Sequence, residues 1–116
     1  QEGKRPGPIP ESTLINDIPV VDARDAKLTR VPGDLLRQLT GMSVLFLSNN
    51  RLTRLPGEMF RNLISLQTLN LNNNRLISLP IEIGHLSQLT YLYLQHNLLV
   101  SVPDELRHCT SLSTLD

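Results

Sequence analysis

The sequence predicts an α/β solenoid, with a short-stranded parallel sheet on one side and brief helical turns on the other. Three observations carry the prediction. Units laid out from Ile18, Met42, Leu66, Leu89 and Leu112 repeat at intervals of 24, 24, 23 and 23 residues, inside the range of roughly 20 to 29 that marks stacked repeats. Within each unit apolar residues return at repeat positions 1, 4, 6, 11 and 14. A proline follows position 14, and an acid follows that proline at position 17, as in Pro80 and Glu82.

Each element follows from that layout. Positions 1, 4, 6, 11 and 14 are Met42, Leu45, Leu47, Leu52 and Leu55, then Leu66, Leu69, Leu71, Leu76 and Leu79, then Leu89, Leu92, Leu94, Leu99 and Val102. The first unit is a weaker copy with Ile18, Val21, Ala23, Leu28 and Val31. Positions 3 to 7 alternate in polarity, as in Val44-Leu45-Phe46-Leu47-Ser48, which predicts a short strand with one buried face. Successive units then pair as parallel strands. Position 9 holds Asn50, Asn74 and Asn97 where the chain leaves the strand, and a side-chain amide there satisfies turn backbone that would otherwise be buried unpaired. The first unit has Ala26 instead, so this asparagine ladder is expected to stop there.

Pro32, Pro56, Pro80 and Pro103 precede the acids Asp34, Glu58, Glu82 and Glu105. Proline near a helix start and an acid in its first turn suit one or two helical turns on the outer face. A base three residues later gives the expected outer pairs Asp34 with Arg37, Glu58 with Arg61, Glu82 with His85 and Glu105 with His108. Such a spacing contributes only about 0.2 to 0.5 kcal/mol per pair.

Leu66 to Leu79 with Pro80 follows the pattern LxxLxLxxNxLxxLP position by position, and the chain is similar to the leucine-rich repeat family from about Ile18 onward. The endings from Leu79 to Leu86 and from Val102 to Leu106 resemble the intracellular Ras-group scaffolds. Leu55-Pro56-Gly57-Glu58-Met59-Phe60 instead resembles the 24-residue repeats with an outer phenylalanine that are common in extracellular members. The resemblance implies a right-handed leucine-rich repeat solenoid whose parallel strands line the concave face and whose ends are capped. Neither end shows a proper cap. Leu112 to Asp116 begins a further unit and stops inside its strand, so more chain or a partner is expected to cover that edge. Residues 1–17, with Pro6, Pro8 and Pro10 among glycines and charges, are expected to form an extended or disordered arm, read as a linker although Leu14 and Ile15 offer a way to fold back onto the first unit. Residues 18–116 form the solenoid.

With 40% apolar residues in 116 the chain holds one continuous core, and its formal net charge of zero supplies no global field towards nucleic acid or membrane. One cysteine, Cys109, excludes an internal disulfide, and no asparagine stands two residues before Ser or Thr. Both point to a reducing, cytoplasmic setting. No apolar run is long enough to span a bilayer, and the start at Gln1 without Met suggests a processed or partial chain.

No catalytic constellation is found: there is no phosphate-binding glycine loop, no nucleophile elbow and no metal-spaced Cys or His set. An enzyme is not expected, and neither is a cofactor or metal. His85 and His108 share position 20, but Cys109 takes the inward place that Leu86 holds one unit earlier, which leaves too few ligands for zinc.

The informative residues project onto the concave face at positions 3, 5, 7 and 8. These are Val20, Asp22, Arg24 and Asp25, then Val44, Phe46, Ser48 and Asn49, then Thr68, Asn70, Asn72 and Asn73, then Tyr91, Tyr93, Gln95 and His96. Three of the four aromatics fall here, and aromatics dominate interface hot spots. The expected partner surface comprises Asp22, Val44, Phe46, Thr68, Asn70, Asn72, Tyr91, Tyr93, Gln95 and His96, with Phe46 and the two tyrosines joined in one aromatic patch. A second pattern is basic: Lys27, Arg51 and Arg75 at position 10 with Arg30 and Arg54 at position 13. Stacked at the strand spacing of about 4.8 Å, these would form a ridge. The sequence therefore points to a protein-protein interaction module or scaffold subunit of a larger complex. Nucleic acid at the ridge, an extracellular-type recognition domain, or the repeat region of a larger enzyme are the alternatives.

Overall fold

The computed structural model describes residues 13–15, 18–109 and 114–115. Six strands run in chain order through one sheet: β1 (Thr13–Ile15), β2 (Ile18–Asp22), β3 (Val44–Phe46), β4 (Thr68–Asn70), β5 (Tyr91–Tyr93) and β6 (Thr114–Leu115). From β2 to β6 every pairing is parallel, and each strand adds the same repeat positions to its neighbour. Val20 faces Val44, Val44 faces Thr68 and Thr68 faces Tyr91, while Asp22, Phe46, Asn70 and Tyr93 form the next row. This is the repeat register read from the sequence. β1 differs, pairing antiparallel with β2 from Thr13 opposite Val20 to Ile15 opposite Ile18. Part of the predicted arm thus extends the sheet; the rest of the arm, and Leu112 in the last unit, lie outside the described residues.

The core is the leucine row of each unit stacked on the next. Leu45, Leu47, Leu52, Leu69, Leu71 and Leu76 are fully buried, each burial contributing about 1.5 to 3 kcal/mol against exposure. On the far side the units close with helix α1 (Gly33–Leu36), helix α2 (Glu58–Asn62) and two 3-10 turns, Ile81–His85 and Asp104–His108. Leu35, Met59, Phe60, Ile83 and Leu106 face inward from these turns. The two units that are one residue shorter carry the 3-10 turns. A 3-10 turn rises about 2.0 Å per residue against about 1.5 Å in an α-helix, so it spans the outer face with fewer residues. Gly84 permits the two 3-10 turns to approach, because a Cβ there would stand 2.8 Å from the Glu105 carbonyl oxygen.

The asparagine ladder holds the inner turns. Asn50 accepts from the amides of Ala26 and Leu28 at 3.0 Å each, and its Nδ2 donates to the carbonyls of Ala23 and Leu47 at 2.9 Å. Asn74 accepts from Leu52 and donates to Leu47 and Leu71; Asn97 accepts from Leu76 and donates to Leu71 and Leu94. With Ala26 in the first unit, Asn50 serves two amides and the ladder ends as expected. Cys109 is buried as predicted, its thiol donating to the Ile83 carbonyl at 3.2 Å.

Several expectations are corrected. Of the four outer acid-base pairs only Asp34 with Arg37 forms among the described residues. Arg61 turns away from Glu58 and reaches Glu82 of the next unit at 3.8 Å, tying units together rather than closing its own turn. Glu82 is therefore not His85's partner, and Glu105 and His108 form no ion pair. Ile18 and Val102, assigned to the core, are 46% and 41% exposed, since each stands at an end of the complete units with less chain stacked over it. Val20 and Ser48, assigned to the open face, are 3% and 6% exposed and offer a partner almost nothing.

Candidate functional site

Side chains at positions 3 and 5 leave the sheet on its open face because β-strands alternate sides. The result is a row of Val44, Thr68 and Tyr91 beside a row of Asp22, Phe46, Asn70 and Tyr93. Tyr91 is exposed, while Tyr93, Phe46, Asn70, Thr68, Val44 and Asp22 are half-buried. Tyr91 and Tyr93 stand on the same side of β5, and neither belongs to the hydrophobic core.

The expected single aromatic patch is interrupted. Asn70 lies between Phe46 and Tyr93 in the row, which sets Phe46 two strand spacings, about 9.6 Å, from Tyr93. Phe46 is engaged elsewhere: the guanidinium of Arg24 sits 4.9 Å from its ring centroid. Arg24 in turn donates to both carboxylate oxygens of Asp22, at 2.9 and 2.7 Å. The hydrogen bonds from Arg24 hold the Asp22 carboxyl below the ordinary carboxylate range, against an opposing push from partial burial, and Asp22 raises the Arg24 guanidinium in return. The face is thus divided into a charge-capped aromatic at the first two units and a tyrosine pair at the fourth.

Between them runs a polar band. Asn70 Oδ1 accepts from the Asn72 amide at 3.0 Å, and Asn72 Oδ1 accepts from the Gln95 amide at 2.7 Å. These side chains are partly committed to their own backbone, while Gln95 presents an exposed amide.

Position 8 has a different explanation from the one expected. Asp25, Asn49, Asn73 and His96 have φ of 56°, 60°, 60° and 61°, the left-handed conformation in which Asn, Asp and His are the usual non-glycine occupants. All four are exposed. These residue types, His96 included, suit the backbone turn at the end of each strand.

The residues of the expected basic ridge fall on the loops that follow the strands. Backbone bonds from Arg51 to the Leu28 carbonyl, from Arg75 to Leu52 and from Leu98 to Leu76, at 2.8, 2.8 and 2.9 Å, stack position 10 of successive units. Lys27, Arg30, Arg51, Arg54 and Arg75 are all exposed, and none of them forms an ion pair among the described residues. On the outer side, Arg61, Glu82, His85, Glu105 and His108 line a shallow groove. Among the described residues no three His, Cys, Asp or Glu side chains converge to hold a metal. Burial pushes the Cys109 thiol up, away from the reactive thiolate.

A leucine-rich repeat profile matches residues 23–76, and a second leucine-rich repeat profile matches residues 88–109, which together exceed half of the chain. The chain belongs to the leucine-rich repeat family. A search of curated proteins finds no match. Among solved structures, this leucine-rich repeat chain is similar to a leucine-rich repeat protein of Leptospira interrogans, at 41% identity and a TM-score of 0.76 over 82% of this chain and 24% of that one. It is also similar to a chain in the Toll–Spätzle complex of Drosophila, at 31% identity and a TM-score of 0.72 over 84% of this chain and 14% of the other. The BIR2 ectodomain of Arabidopsis thaliana aligns at 25% identity and a TM-score of 0.69, over 89% of this chain and 57% of that ectodomain. The chain spans less than two thirds of each.

Two features of this leucine-rich repeat surface escaped the sequence reading. Asp22 closes β2 and Arg24 stands two residues on, in the turn after it, and this close acid-base spacing at a strand end is the signal for the bidentate pair. Exposed Ile77, Leu98 and Val100 sit at loop positions 12, 10 and 12, which the leucine count absorbed without distinction. No helix among the described residues is long and apolar enough to cross a membrane.

Proposed function

We propose that this leucine-rich repeat chain is a protein-recognition module, or scaffold subunit of a larger complex, that docks a protein partner on the concave face of its sheet. The observation that carries this reading is the pair Tyr91 and Tyr93, set on the same side of one strand outside the hydrophobic core, with Tyr91 42% exposed. Large aromatic area on a preformed strand binds with little loss of entropy. Thr68, Asn70, Asn72, Val44 and Gln95 form the polar and aliphatic rim of this surface, and Asp22 with Arg24 bounds it. His96 stands at its edge, although its turn geometry already accounts for it. No catalytic step and no cofactor is assigned to the chain; the recognition unit is 18–116, with the strand from Thr13 to Ile15 bracing its edge.

The Ras-group repeat type and an intracellular, cytoplasmic location belong to the same reading, supported by the endings at Pro80 and Pro103 and the single buried thiol. An extracellular-type recognition domain is the second reading. It is favoured by the fully buried outer Phe60 and by the likeness to a plant ectodomain. The test is hydrogen exchange on the complex of the full-length protein with its partner, purified from native material. Slowed exchange confined to β3, β4 and β5 and their following turns supports concave docking, whereas protection of α1, α2 and the 3-10 turns overturns it.

A further inference from the structure

The loop ledge that follows the strands is a second, separate surface, and its composition changes along the solenoid. Position 10 runs Lys27, Arg51, Arg75 and then Leu98, stacked by consecutive backbone hydrogen bonds. Position 12 runs Thr29, Thr53, Ile77 and Val100, with the Ile77 amide bonded to the Thr53 carbonyl at 3.3 Å. Position 13 gives Arg30 and Arg54 before it becomes Ser78 and Ser101. The first half of the ledge is thus cationic and the second half aliphatic, with Ile77, Leu98 and Val100 at 56%, 62% and 88% exposure. This exposure is a property of the positions and not of the chain end, since positions 10 and 12 are exposed in the earlier units too.

Where the halves meet, Thr53, Arg54, Leu55, Ile77, Ser78 and Pro80 line an open hollow. It places a guanidinium beside an aliphatic wall. The nearby exposed carboxylate is Asp25 beside Lys27; Asp22 is already held by Arg24. Arg51, Arg54 and Arg75 stand in units that carry Asn49 and Asn73 at the place where the first unit has Asp25.

We propose that this ledge binds an extended acidic peptide segment of a protein whose acidic residues lie over Arg51, Arg54 and Arg75 and whose adjoining aliphatic residues lie over Ile77, Leu98 and Val100. Charge complementarity selects the acidic half, and the aliphatic half selects a polypeptide. A nucleic-acid strand finds cations over only part of the track and no aromatic ring on which to stack a base. An anionic membrane would be met by aliphatics and cations segregated along the axis, without the interfacial aromatic residues that usually anchor such contacts. Lys27 to Leu98 covers three unit steps, about 14 Å at the strand spacing, which four or five extended residues span at about 3.4 Å each.

The test uses the intact protein and a short fluorescent peptide with a Glu tract followed by Leu-Ile-Leu, at low and moderate salt. Binding is expected to fall at least tenfold for Arg51→Gln with Arg75→Gln, and to lose much of its salt dependence. It is expected to fall at least fivefold for Leu98→Ser with Val100→Ser, and equally when the peptide's aliphatics become Ser. Replacing both tyrosines of β5 by Ala is expected to leave this binding unchanged, which separates the ledge from the concave site. Circular dichroism checks that each variant remains folded. The proposal is overturned if the peptide does not bind, if the all-Glu peptide binds as tightly as the mixed one, or if phosphatidylserine vesicles or a single-stranded oligonucleotide bind more tightly than the peptide.

Discussion

Removing the side chain of Asn74 gives a stability change whose size can be worked out bond by bond. Asn74→Ala deletes the bond accepted from the Leu52 amide and those donated to the carbonyls of Leu47, Leu71 and Asn72. The carbonyls are not orphaned. Leu47 keeps Asn50 Nδ2, Leu71 keeps Asn97 Nδ2 and Asn72 keeps the Asn49 amide. Only the buried Leu52 N–H loses its partner, so the expected cost is that of one unsatisfied buried donor, about 1 to 3 kcal/mol, and not the sum of the deleted bonds. Asn50→Ala is expected to cost more, because Asn50 serves two amides, Ala26 and Leu28, as well as the Ala23 carbonyl. Asn97→Ala is expected to cost least, since its bonds are only part-buried. Asn73→Ala breaks no ladder bond but puts alanine at φ 60°, a penalty of about 1 kcal/mol that Asn73→Gly removes. Urea unfolding followed by circular dichroism measures the series. Equal losses at Asn50, Asn74 and Asn97, or Asn73→Gly as damaging as Asn73→Ala, would refute this accounting.

Three further outcomes are expected. Leu71→Ala, at a fully buried site, is expected to lower stability by about 2 to 5 kcal/mol through the cavity it leaves; a loss below about 1 kcal/mol in denaturant unfolding would contradict the core assignment. Gly84→Ala forces a methyl against the Glu105 carbonyl, so a destabilisation of about 1 to 3 kcal/mol is expected from overpacking, whereas Gly33→Ala, with open space around it, is expected to cost little from packing. Asp22 has a depressed folded pKa, so its contribution is present above its unfolded value of about 3.9 and is lost as pH falls through the lower folded value. NMR titration of its carboxyl is expected to show the midpoint moving back up in Arg24→Gln, and an unmoved midpoint would exclude Arg24 as the cause.

The repeat made the fold legible because each buried leucine recurs at one position, so a single register fixes Leu45, Leu69 and Leu92 as strand partners. The ladder was legible for the same reason: only an inward amide explains Asn50, Asn74 and Asn97 at the end of a strand. Outer-face pairing was less legible, because Arg61 has two acids in reach and the choice of Glu82 over Glu58 depends on how units stack. Position 8 was read only as part of the open face, although Asp25, Asn49, Asn73 and His96 together also carry the signature of positive φ. Val20 and Ser48 show that a strand position facing outward in pattern can still be covered by its neighbours. The arrangement of the open face, with Arg24 laid over Phe46 and Asn70 separating it from Tyr93, is a matter of rotamers that periodicity does not encode.

The concave-face claim is tested most directly by calorimetry of partner binding to folded variants of the full-length protein. Tyr91→Ala with Tyr93→Ala is expected to weaken binding by at least about 2 kcal/mol, the scale of an interface hot spot, while altering stability much less than Leu71→Ala does. Arg37→Ala with Arg61→Ala, on the outer face, is expected to leave binding nearly unchanged. The account is contradicted if the arginine pair abolishes binding and the tyrosine pair leaves it intact.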